Sequence, residues 1–476
     1  MLNNSFINNL ECLNYKVNTK GGLYYSSTYD HNLDFFAMAS RYMSNESLHK
    51  LFINAYTEAS FKATAILLFM LDIREGRGER RIFNLLFKDL CYLNYHLALK
   101  VLYLIPSLGR YDYLLSSYNT PLWKDTVLLI KNELLKDKQS TNPNLLSKWL
   151  PSVRTHNKNN ALAITLAKDL GLSVKDYRHL LSTLRSKLSI VEANITKHEY
   201  EKIDYSFVPS QAMKCYNHLF SKYDGDRFNN YILDLKKNKT KVNSKVLAPY
   251  EIIKEYFKGT TKKDLLDSMW QGMNDFLDGN KSNALVLADT SGSMTSYNYL
   301  PMASALGLAI YIAERNKGVF HDCFINFSSH PSLQKLTGKS LSEKLRSINY
   351  DNWESITNID EALKLILNAT LKSDPKDAPT HLIIISDMEF DCTVEDKPNY
   401  EYWKEQYSKY NLTIPKVIFW CVSGNMRGVP ITKHNNGTTI ISGFSPAVFK
   451  GILDIENYSP VNAMNKIIEK YENLLN

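Results

Sequence analysis

Apolar positions between about Leu33 and Phe276 recur at the spacing of helix faces. Leu180, Leu184 and Leu188 fall on one such face, because residues four apart lie above one another on a helix. Short polar or Gly/Pro stretches interrupt the pattern at intervals of about 12 to 20 residues, a length that fits antiparallel helix pairs. No repeat period is sharp, so the helical array is predicted from the density of helices alone.

The pattern changes near Lys281. Residues 284–288 form a short, continuous apolar run ending in Asp289, and residues 382–385 form another ending in Ser386 and Asp387. Such runs are typical of buried parallel strands, and their alternation with helices predicts a doubly wound parallel sheet. We therefore predict an α-helical domain over 1–278 and an α/β domain over 279–476. The other expected elements are helices at 300–316, 358–370, 399–410, 445–453 and 461–475, and strands at 319–327, 417–422 and 438–442.

Oxygen-bearing side chains follow the first of these strands at regular spacing. Asp289, Ser291 and Ser293 converge on one point if the chain turns sharply, which the glycine between the two serines permits. Thr357, at the start of a helix, and Asp387, at a strand end, supply two further oxygens. Oxygen ligands favour a hard cation such as Mg²⁺. The alternative for the serine motif alone is a helix cap.

These five positions together resemble the metal-ion-dependent adhesion site of a von Willebrand factor A domain. One departure concerns the residue after Asp387, which is Met388 where the A-domain pattern has glycine. Glu389 and Asp391 then add negative charge, either as internal competitors for the open position of the metal or as solvated loop acids. No Walker-type loop and no nucleophile elbow accompany the motif, and no His or Lys lies beside it as a general base. We therefore predict a protein that is not an enzyme.

Composition narrows the class of protein. A chain of 476 residues with 44% hydrophobic and 22% charged residues is typical of a folded protein of two or three domains. No apolar run approaches the roughly 20 residues of a membrane span, and the polar start lacks a secretory signal. The six cysteines are scattered without a CxxC pair, which favours reduced thiols. We predict a cytoplasmic protein without membrane contact, associated with the virion if its source is viral.

Positive charge is concentrated in the helical part. Residues 1–280 contain 38 basic and 28 acidic side chains, whereas residues 281–476 contain 19 and 21. Residues 141–250 alone contain 18 basic and 9 acidic side chains, including a lysine run that begins at Lys236. A basic domain joined to a near-neutral one is typical of polyanion binding, although a single lysine run also fits a solvated loop.

Further motifs resemble the TROVE-module proteins of the Ro autoantigen type, and still more closely a related uncharacterised family of plants, fungi and large DNA viruses or phages. These motifs lie at residues 73–80, 106–112, 148–151, 177–178, 191–192, 208–213, 386–390 and 442–445. The resemblance implies a ring or horseshoe of HEAT-like helix pairs closed by the A domain. In the Ro type, that ring binds RNA.

The resemblance and the charge map together predict a ribonucleoprotein component whose helical domain binds RNA. Its Mg²⁺-dependent A domain would recruit a partner. The candidate RNA contacts are Arg74, Arg77, Arg80, Arg110, Arg154, Arg178, Arg185, Lys187, Lys236, Lys237 and Lys239. For each of them the alternative is an ion pair within the protein. The alternative function is an interaction or viral assembly module that docks an acidic side chain at the metal.

Overall fold

Helices dominate the chain before residue 280. The computed structural model describes residues 14–17, 21–153, 160–188, 190–244, 246–279, 282–327, 330–351, 353, 359–390, 399–422, 426, 428–450, 452–453, 455 and 457–476. A short antiparallel hairpin comes first, formed by β1 (Tyr15–Val17) and β2 (Leu23–Tyr25). The helices that follow are α1 (His31–Met38), α2 (Asn45–Leu71), α3 (Arg80–Leu93), α4 (Tyr95–Leu108), α5 (Trp123–Gln139), α6 (Leu146–Trp149), α7 (Asn160–Asp169), α8 (Val174–Lys187), α9 (Val191–Lys197), α10 (Ser210–Tyr223), α11 (Gly225–Lys236), α12 (Pro249–Lys258) and α13 (Lys263–Gln271). Within the described ranges, no helix is both long and apolar enough to cross a bilayer.

A six-stranded sheet follows. Its strands are β3 (Ala284–Asp289), β4 (Cys323–Phe327), β5 (Ser332–Lys335), β6 (His381–Ser386), β7 (Lys416–Cys421) and β8 (Thr438–Ser442), in the order β5-β4-β3-β6-β7-β8. All neighbours pair in parallel except β4 and β5, which pair antiparallel at the edge. The accompanying helices are α14 (Ser296–Arg315), α15 (Leu341–Ser347), α16 (Ile359–Lys372), α17 (Asn399–Ser408) and α18 (Pro460–Leu475).

The predicted mixed α/β class is confirmed. The central strands β3 and β6 are buried along their whole length, as their continuous apolar runs predicted. The edge strand β5 was missed because three of its four side chains are exposed and it carries no apolar run. The helix expected at 445–453 was wrong, since a 3₁₀ turn, Pro446–Phe449, forms instead among the described residues of that range. The HEAT-like array and the A-type domain remain predictions.

The helical part and the sheet share one hydrophobic core. Buried side chains from both form a single contiguous cluster. Helix α2 packs on α18, α12 packs on α14, and α1 contacts β8. The carbonyl of Leu475 also accepts a hydrogen bond from Lys100 Nζ at 2.6 Å. The two parts therefore stabilise each other.

A buried charge cluster lies at this junction. Arg77 is 7% exposed, and its guanidinium donates to the carbonyls of Phe36 (3.3 Å) and Ala39 (2.8 Å). Burial lowers the pKa of Arg77, although the nearby Glu79 carboxylate opposes that shift. Glu79, also buried, accepts three hydrogen bonds of 2.9–3.2 Å from Arg41. The Arg41 guanidinium also lies 4.6 Å from the ring centre of Phe444, which follows β8.

Two glycines make this close packing possible. A Cβ at Gly76 would lie 2.1 Å from the carbonyl oxygen of Phe69, so only glycine allows the turn after α2. Gly443 has a φ of +115°, and a Cβ there would lie 3.1 Å from Nε of Arg77. The arginine side chain thus occupies the space that a larger residue after β8 would fill.

The C-terminal helix closes the same turn from the other side. Asp72 accepts hydrogen bonds from Lys470 Nζ (3.2 Å) and from the Tyr471 hydroxyl (3.0 Å). Glu75 pairs with Lys470 at 2.8 Å and with Lys450 at 3.2 Å, and these cations lower its pKa. The turn between α2 and α3 is therefore held by groups from the last 30 or so residues of the chain.

Glu79→Gln tests whether this junction depends on a buried charge. The change removes the buried carboxylate that pairs with Arg41 and lies near the buried Arg77, so we expect the free energy of unfolding to fall by about 3 kcal/mol in urea denaturation. Glu75→Gln is the matched control. Its side chain is 37% exposed against 3% for Glu79, so its loss should stay below about 1 kcal/mol. Equal losses in the two variants would contradict the assignment.

Candidate metal centre

Parallel pairing brings two predicted carboxylates to one edge of the sheet. In the pairing of β3 with β6, Ala288 lies opposite Ile385, so Asp289 and Ser386 follow side by side. Both strands end here, and the carboxyl ends of parallel strands are where α/β sheets bind ligands. Asp387 comes next, at the same edge.

The Ser386 hydroxyl lies between the two carboxylates. It donates to Oδ2 of Asp289 at 2.6 Å and lies 3.4 Å from Oδ1 of Asp387. The other oxygen of Asp289 accepts the backbone N–H of Ser291 at 2.9 Å. Both acids thus lie within reach of one hydroxyl, and the Asp387 charge acts on Asp289.

The electrostatics of this pair are unfavourable without a cation. Asp289 is fully buried and Asp387 is 7% exposed. Burial and, secondarily, the Asp387 charge raise the pKa of Asp289 well above its usual range. Among the described residues, no basic side chain pairs with either acid, and each would gain from a bound cation.

Two serine hydroxyls add to the set of oxygen atoms that could bind a cation. Ser291 Oγ and Ser293 Oγ lie 3.1 Å apart, across the start of the 3₁₀ turn Gly292–Thr295. The expected sharp turn is therefore a 3₁₀ turn, and Gly292 does not take a left-handed φ. Thr290 Oγ1 is buried there without a hydrogen-bond partner in the described part of the chain.

The described donors fit a hard cation. They are two carboxylates and two hydroxyls, all oxygen, which is the ligand type that Mg²⁺ and similar ions prefer. The fifth predicted ligand, Thr357, lies outside the described residues. No three His, Cys, Asp or Glu side chains in the described ranges are grouped to hold a metal, so the site depends on its hydroxyls.

The segment after Asp387 has methionine where the A-domain pattern has glycine, and this methionine adopts a backbone conformation that favours glycine. Met388 has a φ of +67°, in the left-handed region that favours glycine. Its N–H donates to Ser386 Oγ at 3.0 Å, and the N–H of Glu389 donates to Oδ1 of Asp387 at 3.1 Å. Glu389 is half-buried, whereas Asp391 lies outside the described residues. Both alternatives for these acids stay open.

Sequence reasoning missed two features, one at the site and one four residues after Ser293 in sequence. Ser386 was not predicted as a site residue, although its position directly before Asp387 at a strand end was a usable signal. The second feature is a stack of Tyr297 on Tyr42, with ring centres 4.1 Å apart and about 40% of each side chain exposed. Tyr297, Asn298 and Tyr299 all have φ between 50° and 59°, which is costly for residues other than glycine.

The arginines predicted to contact RNA mostly have partners within the protein. Arg77 is a correction: its buried guanidinium holds the junction described above and is not accessible to a nucleic acid. Arg80 and Arg110 both pair with Asp112, at 2.8 and 2.6 Å. Arg110 also lies 4.1 Å from the ring centre of Trp149. These contacts favour the structural alternative for all three.

The other predicted RNA contacts fall into two sets: some have partners within the protein and others are exposed. Arg185 donates to the carbonyls of Ser147 (2.7 Å) and Leu150 (2.8 Å), and Lys187 donates to two carbonyls at the end of α5. Arg74 is exposed but donates to the carbonyl of Ser107 at 2.8 Å. Arg154 lies outside the described residues. The remaining candidates are exposed: Arg178, Lys236, Lys237 and Lys239.

Asp289→Ala tests the metal assignment. We expect Mg²⁺ to raise the melting temperature of the unchanged protein, because a cation that binds only the folded state stabilises it. The variant should lose that shift and should show no Mg²⁺ binding by calorimetry. Asp278→Ala, at a side chain that is 80% exposed and pairs with Lys317, is the control. An unaltered Mg²⁺ affinity in Asp289→Ala would remove Asp289 from the ligand set.

The known proteins and domains to which this chain is similar have names that state no activity. A domain of unknown function, DUF7788, matches residues 283–473, and a second, DUF2828, matches residues 111–282. A protein of Acanthamoeba polyphaga mimivirus named as uncharacterized is 28% identical over 503 aligned residues, covering 92% of this chain and 84% of the relative. The two domain matches meet directly before β3 begins at Ala284. The chain is thus similar to a viral protein along nearly its whole length.

Proposed function

We propose that this protein is a divalent-cation-dependent binding protein that docks an acidic group of a partner. The observation that carries the proposal is the pair of buried carboxylates, Asp289 and Asp387, held on either side of Ser386 without a basic partner among the described residues. Such a pair is costly unless a cation neutralises it. In this proposal the sheet is an A-type domain, and the helices before Ala284 are a HEAT-like array.

A bound cation would supply positive charge and an open coordination position for an oxygen ligand. Asp289, Ser291, Ser293 and Asp387 would hold it, with Thr357 as the fifth candidate. A carboxylate is the partner group that such an ion favours, because hard cations prefer charged oxygen ligands. The proposed role is binding, and the exposed stack of Tyr42 on Tyr297 offers an aromatic surface close in sequence to the motif.

A display experiment tests this docking. Random peptides selected on the full-length protein in Mg²⁺ and eluted with a chelator should share an Asp or Glu. Changing that residue to its amide in the peptide should abolish capture, because the amide lacks the charge. Ser291→Ala in the protein should do the same, whereas Ser282→Ala, before β3, should not.

Two outcomes would contradict different parts of the proposal. If Mg²⁺ binds but the selected peptides share no acidic residue, the docking role fails while the metal site stands. If acidic peptides bind equally with and without Mg²⁺, the cation has no part in recognition.

RNA binding is a second candidate, favoured by a separate observation. The side chains of Lys236 and Lys239 at the end of α11 are 65% and 66% exposed, and the chain has a formal net charge of +8. Their ion pairs with Asp264 (3.7 Å) and Asp234 (4.0 Å) are long and exposed, so they cost little to exchange for phosphates. The Ro-type resemblance and the viral relative also fit packaging or assembly of a polyanion.

A salt titration tests this candidate. Replacing Lys236, Lys237 and Lys239 by alanine should weaken RNA binding and lower the slope of log affinity against log salt by about 2 to 3. A matched control replaces three exposed lysines of the sheet part: Lys364, Lys372 and Lys376. Absence of RNA binding at low salt in the unchanged protein would end this proposal, and equal affinity for duplex DNA would reduce it to general polyanion binding.

A further inference from the structure

An apolar groove of about 430 Å³ lies between α5 and α8, far along the chain from the metal centre. Its floor is leucine-rich, with Leu134 and Leu135 from α5 and Leu180 and Leu184 from α8. Leu135 is 52% exposed. Leu134 and Leu184 are buried (4% and 0% exposed), so the groove presents apolar surface to solvent mainly through Leu135 and the half-buried Leu180.

The rim of this groove is basic. Lys131, Lys138 and Lys187 line it against one acid, Asp176. Lys131 and Lys138 are seven residues apart on α5, so two turns, or about 10 Å, separate them along the helix axis. Leu134 and Leu135 lie between them at the spacing of a single helix face. The positive charges are thus distributed along the length of the groove and are not clustered at one end.

The position of Lys187 is fixed by the protein. Its Nζ donates to the carbonyls of Lys138 (3.1 Å) and Ser140 (3.0 Å), across the C-terminal end of α5. Because α8 is tied to α5 at this point, the groove is a built feature of the two helices. Asp176 is in turn held at the start of α8 by the Ser173 hydroxyl at 2.6 Å.

We propose that this groove binds an amphipathic helix of a partner protein, with leucine-like side chains on the contacting face and acidic residues along its flanks. The leucines of α5 and α8 that line the groove offer an apolar surface against which a third helix can pack its own apolar ridge. Lysines spaced two turns apart match carboxylates at the same spacing on the incoming helix. A fatty acid is disfavoured because its single carboxylate could pair with the lysines at only one end of the rim.

Binding of a designed helix to the full-length protein tests the proposal. The probe is a fluorescein-labelled, alanine-based peptide of about 18 residues with leucines on one face and glutamates flanking them. We expect saturable binding by fluorescence anisotropy at low salt, and at least about tenfold weaker binding of the same peptide with lysine in place of glutamate. Equal binding of the two peptides, or binding of neither, would overturn the proposal.

Matched variants locate the site. Leu135→Glu should weaken the peptide at least about tenfold, because it places a charge in the groove floor. Leu233→Glu is the control, since Leu233 on α11 is 50% exposed and lies outside the groove. The double change Lys131→Glu and Lys138→Glu should weaken the glutamate peptide and strengthen the lysine peptide. Unchanged binding in Leu135→Glu would contradict the assignment.

Two other occupants are separate outcomes that would also overturn it. Laurate that binds the unchanged protein and displaces the peptide with higher affinity, in a manner lost in Leu135→Glu, would identify a lipid site. Concentration-dependent self-association in sedimentation, lost in the same variant, would make a second copy of the chain the occupant.

Discussion

The parallel pairing of β3 with β6 is the constraint on which the candidate site depends. Because both strands run in the same direction and end at the same edge, Asp289 and Ser386-Asp387 are brought together from positions almost 100 residues apart in sequence. The two carboxylates then lie on either side of one hydroxyl, and both are buried. Any shift of this register by one residue would turn Asp289 or Ser386 to the other face of the sheet. The chemistry of the site therefore follows from strand pairing.

The helical part meets the sheet near the ends of its outer strands. Arg77, from the turn after α2, lies against Gly443, which follows β8, while Arg41 covers Phe444. Tyr42, directly after Arg41, stacks on Tyr297, which follows the metal motif. One short segment of the helical part, Arg41 and Tyr42, thus contacts both the segment after β8 and the start of α14.

Charge alone was a poor guide to binding surfaces in this protein. The basic excess over residues 141–250 is a property of the sequence, but an arginine in a helical array has several possible partners. Three of the predicted arginines donate hydrogen bonds to backbone carbonyls or to Asp112, where they stabilise turns and helix ends: Arg77, Arg110 and Arg185. Of the predicted RNA contacts, Arg178, Lys236, Lys237 and Lys239 are among those that stay exposed. Lysine, with its flexible stem and strong hydration, is the side chain that stays on the surface by default.

The sequence by itself determined most of the local elements and the oxygen-bearing side chains of the candidate site. Continuous apolar runs predicted the bounds of β3 and β6 to within about one residue. A strand that is buried on both faces has few polar positions, so its ends are clear in the sequence. The short, exposed β5 carried no such signal. Only the tertiary structure decided that Ser386 lies between the two acids and that Arg77 is buried. It also decided that α5 and α8 leave a groove between them. Hydrophobic periodicity is a property of neighbours along the chain, whereas the partner of a polar side chain is set by contacts between distant segments.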